Sequence, residues 1–190
     1  MEQFVDLFLS PTAAKLAIKD ILSEVKLLSL HPHWFVEDPV QKENGLFANL
    51  RDYATEKEFS LGLHLDTIPA QDDPAGSVLI FRLTLFDSEV QDLLFFTEQE
   101  KTRVRIRYNK EQPAPELEAD MLLWIRGIQE YLRLYTHTTA RTLFFRLLMN
   151  KMVLQMNPSQ RKICLMIAKI TVVEIVVILL IVIGYVSFGQ

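Results

Sequence analysis

One stretch restricts the possible folds of this chain more than any other, the apolar run ICLMIAKITVVEIVVILLIVIGYVSF at residues 163–188. Only Lys169 and Glu174 carry charge within it. A helix needs about 20 apolar residues to cross a hydrocarbon layer roughly 30 Å thick, and residues 170–188 supply that length. Because a backbone in lipid must satisfy its own hydrogen bonds, the run predicts one transmembrane helix. The alternative is a buried helix or strand of a larger soluble fold.

The distribution of charge predicts how this helix is oriented. Residues 1–140 hold 14 Lys and Arg against 23 Asp and Glu, whereas residues 141–190 hold six basic residues against Glu174 alone. Basic residues flank the cytoplasmic ends of spans, and these six all precede residue 170. We therefore expect a single-pass C-terminal anchor, as in tail-anchored proteins, with an acidic domain facing the cytoplasm. No nucleic acid is expected as a partner, because binding phosphates requires a positive surface.

Glu174 lies inside the predicted span, where a carboxylate costs a few kcal/mol. It could be protonated, pair with Lys169, reach the interface or contact the helix of a membrane protein partner. Ahead of the span, residues 138–162 mix apolar side chains with basic ones. Such a segment is typical of helices that lie on an anionic membrane surface, although a helical extension packed on the domain fits equally well. The predicted membrane-surface residues are Arg141, Arg146, Lys151, Arg161 and Lys162.

The first 137 residues alternate in a way that predicts a mixed domain. A short strand at 4–10 is followed by a helical pattern at 11–30 that could bend into two pieces. Period-two alternation and turn signals then predict strands at 34–40, 46–54, 59–66, 79–85, 93–97 and 103–108. Two prolines open a long amphipathic helix at 116–136.

This order of elements resembles the helix-grip fold of the START and polyketide-cyclase-like superfamily (SRPBCC), to which the birch-pollen allergens belong. The resemblance covers residues 2–137 and rests on Ser10-Pro11 before the helical segment, the strand from Trp34 to Pro39, and the final helix with WIRGI at 124–128. It implies an α+β fold in which an antiparallel curved sheet of about seven strands grips a long C-terminal helix. The expected organisation is a soluble domain at 1–137, a juxtamembrane segment at 138–162 and an anchor at 163–190.

In this superfamily the space between sheet and helix is a pocket for lipids, sterols or polyketides, so the resemblance implies a hydrophobic small molecule as ligand. The alternative is that the same side chains fill a solid core, and periodicity cannot separate the two. Leu85 shares the inner face with the predicted ligand-binding residues, which are Leu61, Leu63, Leu65, Phe81, Leu83, Val104, Ile106, Tyr108, Trp124, Ile128 and Tyr131.

Motifs for catalysis are missing from the sequence. It contains no phosphate-binding loop, nucleophile elbow, paired-cysteine motif or dinucleotide fingerprint, so no catalytic residue, metal or cofactor is predicted. His31 and His33 flank Pro32 without an obvious carboxylate near them and are interpreted as structural. The alternating Arg103, Arg105 and Arg107 are expected to pair with acids on an exposed sheet face.

Three functions follow from these observations. The first is a non-catalytic, membrane-tethered binding or transfer module for a lipid or isoprenoid-like ligand drawn from the membrane lipid. The second is an accessory subunit of a larger membrane complex, docked through the transmembrane helix. The third is an enzyme acting in the pocket, for which Tyr108 and Tyr131 would be the first residues to substitute.

Overall fold

The structure is a computed structural model that describes residues 1–9, 16–67, 78–98 and 101–188. The chain forms two compact units, Met1–Gln155 and Met156–Gln190. The predicted Ser10-Pro11 helix start and the predicted loop at 69–76 lie outside the described residues.

The first unit contains one antiparallel sheet in the order β1-β7-β6-β5-β4-β3-β2. Strands β2 to β7 form a meander, and β1 returns to pair with β7, which confirms the predicted seven-stranded curved sheet. The strands are β1 (Glu2–Leu7), β2 (Trp34–Lys42), β3 (Gly45–Asp52), β4 (Glu58–Asp66), β5 (Val78–Phe86), β6 (Val90–Glu98) and β7 (Lys101–Tyr108).

The helices also follow the predicted order. The first helical segment is divided, as the pattern allowed, and the long helix lies where the apolar stripe predicted it. The helices are α1 (Ile18–Ile21), α2 (Glu24–Ser29), α3 (Pro115–Thr136), α4 (Ala140–Lys151) and α5 (Pro158–Phe188), with a 3₁₀ turn at Val153–Gln155 between α4 and α5.

Strand β2 differs from the prediction because it continues past Pro39. The β2–β3 register shifts between Glu37 and Val40, and Asp38 has a positive φ of 45°. Pro39 lacks an amide donor, which an edge strand tolerates at a bulge. The proline therefore bends the strand without ending it.

The inner face of the sheet and α3 enclose one hydrophobic core. The indole nitrogen of Trp124 donates to the carbonyl of Leu27 at 2.7 Å, which ties α3 to α2. Gly127 makes this approach possible, because a Cβ there would lie 2.3 Å from the carbonyl oxygen of Leu30. Helix α3 is thus fixed near its middle against the C-terminal end of α2.

Helix α4 packs against α3 through polar contacts. The hydroxyl of Tyr131 donates to Asn150 Oδ1 at 2.7 Å, and Asn150 Nδ2 donates to the Tyr135 hydroxyl at 3.0 Å. Arg146 Nε donates to the Leu134 carbonyl at 2.9 Å and lies over the Tyr135 ring. Four large apolar side chains of α4 are exposed, namely Leu143, Phe144, Phe145 and Leu147, whereas Met149 packs against the core.

The second unit contains α5. The most apolar 18 residues of its stretch Pro158–Ile183 have a mean hydropathy of 2.8 and none of them is buried, so α5 is long and apolar enough to cross a membrane. The helix continues unbroken through Glu174. Among the described residues no ion pair joins Lys169 to Glu174, because a separation of five residues places them on different sides of a helix.

Candidate ligand-binding groove

The predicted ligand-binding residues lie close together, but most of them are buried in the hydrophobic core. Ten of the eleven are buried, and Leu65 is partly buried against them. Phe81 stacks on Phe95 with 4.2 Å between ring centroids. The mutual contact of these side chains across sheet and helix is the arrangement that the alternating pattern predicted, and their role as ligand contacts remains a prediction.

An open groove of about 350 Å³ lies at one end of the sheet. The β3–β4 turn, the β5–β6 turn and the first turns of α3 surround it. Leu61 is the one predicted ligand-binding residue that lines this groove, and Leu85 from the same inner face joins it.

The position of the groove follows from the topology. In a meander, every second strand terminates at the same end of the sheet, so β3, β5 and β7 all terminate at the end where the groove lies. Helix α3 begins after β7. Periodicity along the strands and along α3 indicates interior positions but carries no signal for turns, so the turn residues of the groove were not predicted. Because the odd-numbered strands of a meander all terminate at one end of the sheet, the strand order alone would have predicted that these turns lie close together.

The wall of the groove is apolar and well fixed. Trp34 is buried at its base, stacked on His31 at 4.0 Å and in edge contact with Phe59 at 5.6 Å between ring centroids. Aromatic packing of this kind holds a side chain in one orientation. The apolar lining residues are Trp34, Phe59, Leu61, Leu85, Leu117 and Met121.

The rim is strongly acidic. Its described residues contribute one ammonium group, from Lys57, and five carboxylates, from Asp52, Asp87, Glu89, Glu116 and Asp120. Glu89 is paired with Lys110. Within the described residues, the side chains of Asp87, Glu116 and Asp120 take part in no ion pair or hydrogen bond.

Asp52 is buried at the end of β3 and organises the β3–β4 turn. Its carboxylate accepts hydrogen bonds from the Ala54 amide at 2.7 Å and the Thr55 hydroxyl at 2.9 Å. Burial acts to raise the pKa of Asp52, but these hydrogen bonds and the charge of His31 outweigh it, so the pKa lies below its usual value. Asp52 is therefore ionised at neutral pH.

Asp120 lies on the groove side of α3 in a different electrostatic environment. Burial raises the pKa of Asp120, and the nearby charges of Asp52 and Glu116 raise it further, whereas His33 acts in the opposite direction. The two aspartates thus differ in their tendency to ionise, although they line the same groove.

The two histidines lie near carboxylates that the sequence did not indicate. His31 is buried and its Nδ1 accepts from the His33 amide at 3.3 Å. His31 acts electrostatically on Asp52, and His33 on Asp120. The β3 and α3 termini bring these acids from distant positions in the chain, which spacing along the sequence could not reveal. No group of three His, Cys, Asp or Glu in the described parts of the chain is arranged to hold a metal ion.

Tyr108 and Tyr131 are both engaged in the core. The Tyr108 hydroxyl donates to Gln3 Oε1 at 2.9 Å, and burial together with the charge of Glu118 raises the pKa of Tyr108 to about 12. Burial and the Tyr135 hydroxyl also raise the pKa of Tyr131. Both phenols are therefore neutral at physiological pH, and neither lines the groove.

The basic residues are divided between two environments. Arg103 bonds Asp6 and Glu98, each at 2.8 Å, and Arg107 pairs with Asp92, which confirms the expected pairing for these two arginines. Among the predicted membrane-surface residues, Arg146 is committed to backbone carbonyls of α3 and Arg161 donates to the Met156 carbonyl. The other three predicted surface residues are exposed, namely Arg141, Lys151 and Lys162.

Comparison with known proteins identifies no matching family model and no similar curated protein. Several solved structures are similar to this chain, and three of them are described below. Ara h 8.0201 is 17% identical, with 72% of this chain and 95% of that chain covered and a TM-score of 0.37. Chr148 from Cytophaga hutchinsonii is 14% identical, with 73% of this chain and 96% of that chain covered and a TM-score of 0.36. TTHA0849 from Thermus thermophilus is 16% identical, with 70% of this chain and 95% of that chain covered and a TM-score of 0.36.

The class of fold is defined by the chain itself. A seven-stranded antiparallel sheet curved around a long C-terminal helix, with an open groove where the two meet, is a helix-grip architecture.

Proposed function

We propose that this chain is a membrane-tethered binding or transfer module for a hydrophobic ligand, lipid or isoprenoid-like, and that it acts without catalysis. The observation that carries this proposal is the groove with its fixed apolar wall. Small-molecule sites are concave, mostly apolar and about 300–1,000 Å³ in volume. At about 350 Å³, the groove suits a single chain or a small ring system rather than a whole two-chain lipid.

The proposed tether is α5, with the domain on the cytoplasmic side. Its apolar surface and length favour a bilayer as its surroundings, and the basic residues that precede it favour this orientation. A tether would raise the effective concentration of membrane-derived ligands at the groove. Membership of the helix-grip superfamily is part of the same proposal and is supported by the strand order and the position of α3.

The binding role is tested by purifying the full chain in lipid nanodiscs and identifying bound molecules by mass spectrometry. Ala114 lines the groove and is exposed, so Ala114→Trp fills the groove without disturbing the core. The matched control is Ala119→Trp, an exposed position on the same helix that does not line the groove.

We expect wild type and the Ala119→Trp variant to carry a hydrophobic molecule in near-stoichiometric amount, and the Ala114→Trp variant to lose most of it. A wild-type protein that carries none and takes up no fluorescent lipid would overturn the proposal. Equal amounts in the two variants would place the ligand outside the groove.

A second candidate function is that of an accessory subunit, and Glu174 is the observation that favours it. The carboxylate lies in the apolar helix α5 without an ion pair among the described residues. Burying such a group in lipid is costly unless a partner helix receives it. A stoichiometric membrane protein that co-purifies in mild detergent and is lost in a Glu174→Leu variant would support this function.

A further inference from the structure

We propose, resting on the binding function above, that the groove selects a cationic amphiphile, an apolar chain that ends in an ammonium group. Neutral and anionic amphiphiles of the same length are expected to bind more weakly. The inference follows from the charges that lie around the apolar wall.

The balance of charge favours a cation. Lys110 neutralises Glu89, and the Ala54 amide and the Thr55 hydroxyl already bond Asp52. The remaining rim carboxylates, on Asp87, Glu116 and Asp120, have no ion pair or hydrogen bond to any described residue. Lys57 alone opposes them among the described lining residues. An ammonium group that enters the rim would therefore meet acceptors that are not yet used.

Helix α3 places these acceptors beside apolar surface. Glu116 and Asp120 are four residues apart, and so are Leu117 and Met121, so each pair shares a side of the helix. All four line the groove, which means that an acidic stripe runs alongside an apolar one. A ligand with a charged head and an apolar chain matches both stripes at once.

The same geometry works against other head groups. A carboxylate or phosphate head would be repelled by the rim. A neutral head would cover the carboxylates without replacing the water that solvates them, which carries a desolvation cost. The raised pKa of Asp120 is consistent with this, because that carboxylate is partly buried and lies near the like charges of Asp52 and Glu116, so that a cation would stabilise it.

Short amphiphiles of equal chain length test the proposal. Full-length protein in phosphatidylcholine nanodiscs would be labelled with 5-fluorotryptophan, which gives two ¹⁹F signals because the chain has two tryptophans. Trp34 lines the groove and Trp124 lies in the core. Octylammonium, octanol and octanoate would be titrated separately while the Trp34 signal is followed. Ethylammonium, which has the head without the chain, reports simple counterion binding.

We expect octylammonium to bind about tenfold more tightly than octanol, with octanoate weaker still. Asp120→Asn should weaken octylammonium about fivefold and leave octanol unchanged. Glu130→Gln is the matched control, since Glu130 is an exposed acid of α3 outside the groove. It should change neither affinity.

The outcomes separate the two proposals. If octanol or octanoate binds as tightly as octylammonium, the proposed selectivity for a cation is wrong. It is also wrong if ethylammonium shifts the Trp34 signal at the same concentrations as octylammonium. Neither result overturns the proposed binding of hydrophobic ligands. If none of the eight-carbon probes shifts the Trp34 signal, the binding function itself is wrong.

Discussion

At Asp120, burial and the neighbouring carboxylates of Asp52 and Glu116 disfavour the ionised form in the folded protein. The unfolded chain has no such penalty. An acid with a raised folded-state pKa therefore lowers the free energy of unfolding as the pH rises through that pKa. A residue that weakens its own domain in this way is typical of binding sites.

Asp120→Asn should accordingly increase the free energy of unfolding at pH 7 by about 0.5 kcal/mol. The gain should vanish at pH values below 3.8, the ordinary pKa of aspartate, because the wild-type side chain is then protonated in both states. Urea unfolding followed at several pH values would measure both effects. A variant that is less stable than wild type at pH 7 would contradict this account.

Asp52 acts in the opposite direction. Its folded-state pKa is lowered, so its contribution to stability is present above pH 3.8 and is lost as the pH falls through the folded-state pKa. Asp52→Ala leaves the Ala54 amide and the Thr55 hydroxyl without an acceptor and should cost about 1–3 kcal/mol at pH 7. Asp52→Asn keeps one acceptor oxygen and should cost less. Equal losses in the two variants would show that the hydrogen bonds are not what matters.

At the scale of elements, the packing of α3 depends on the close approach of its backbone at Gly127 to the backbone of Leu30. In Gly127→Ala, the added methyl group would meet the carbonyl oxygen of Leu30 at 2.3 Å. Overpacking of this kind costs about 1–3 kcal/mol, against a gain of about 1 kcal/mol in helix propensity. We expect a net loss of stability in thermal unfolding. Arg126→Ala, at the exposed neighbouring position, should leave the unfolding temperature nearly unchanged.

Helix α4 is held by one partly buried polar cluster, beside Met149, which packs against the hydrophobic core. Asn150→Leu removes the acceptor of Tyr131 and the donor to Tyr135, and leaving such groups unpaired costs about 1–3 kcal/mol. Hydrogen exchange by mass spectrometry should then show faster exchange of the α4 amides, with β3 to β6 unaffected. Lys151→Leu, at the exposed next position, is the control. Unchanged exchange in the Asn150→Leu variant would mean that other contacts hold the helix.

The elements were far easier to predict than the groove. Period-two alternation placed the strands, and the stripe from Leu117 to Leu132 placed α3, because burial of one face imposes a period on the sequence. Asp52 and Asp120 carry no comparable signal. Each is an ordinary acid in its local context, and only the common end of β3 and α3 brings them to one groove. The role of α4 was open for the same reason, since Asn150 finds its partners on another helix.

At the scale of the whole molecule, the proposed tether makes a direct prediction. The double variant Val176→Arg, Leu180→Arg would carry two charges on one side of α5, in the middle of its apolar stretch. Each arginine at the centre of a span costs about 2.5–3.5 kcal/mol on insertion scales. We expect the wild-type chain to remain with liposomes after alkaline extraction and the double variant to be released. Substituting Ile at both positions is the control, and release of the wild-type chain would remove the case for a tether.

The pairing of β1 with β7 has a consequence for biosynthesis. Gln3 and Tyr108 are 105 residues apart and yet share a hydrogen bond, so β1 leaves the ribosome well before β7 and must wait for it before it gains a neighbour. Loop closure over that distance slows folding. Until it happens, the nascent chain exposes an unpaired edge that chaperones can recognise and that other chains can join. Shortening the chain ahead of Leu7 would leave β7 in that state permanently.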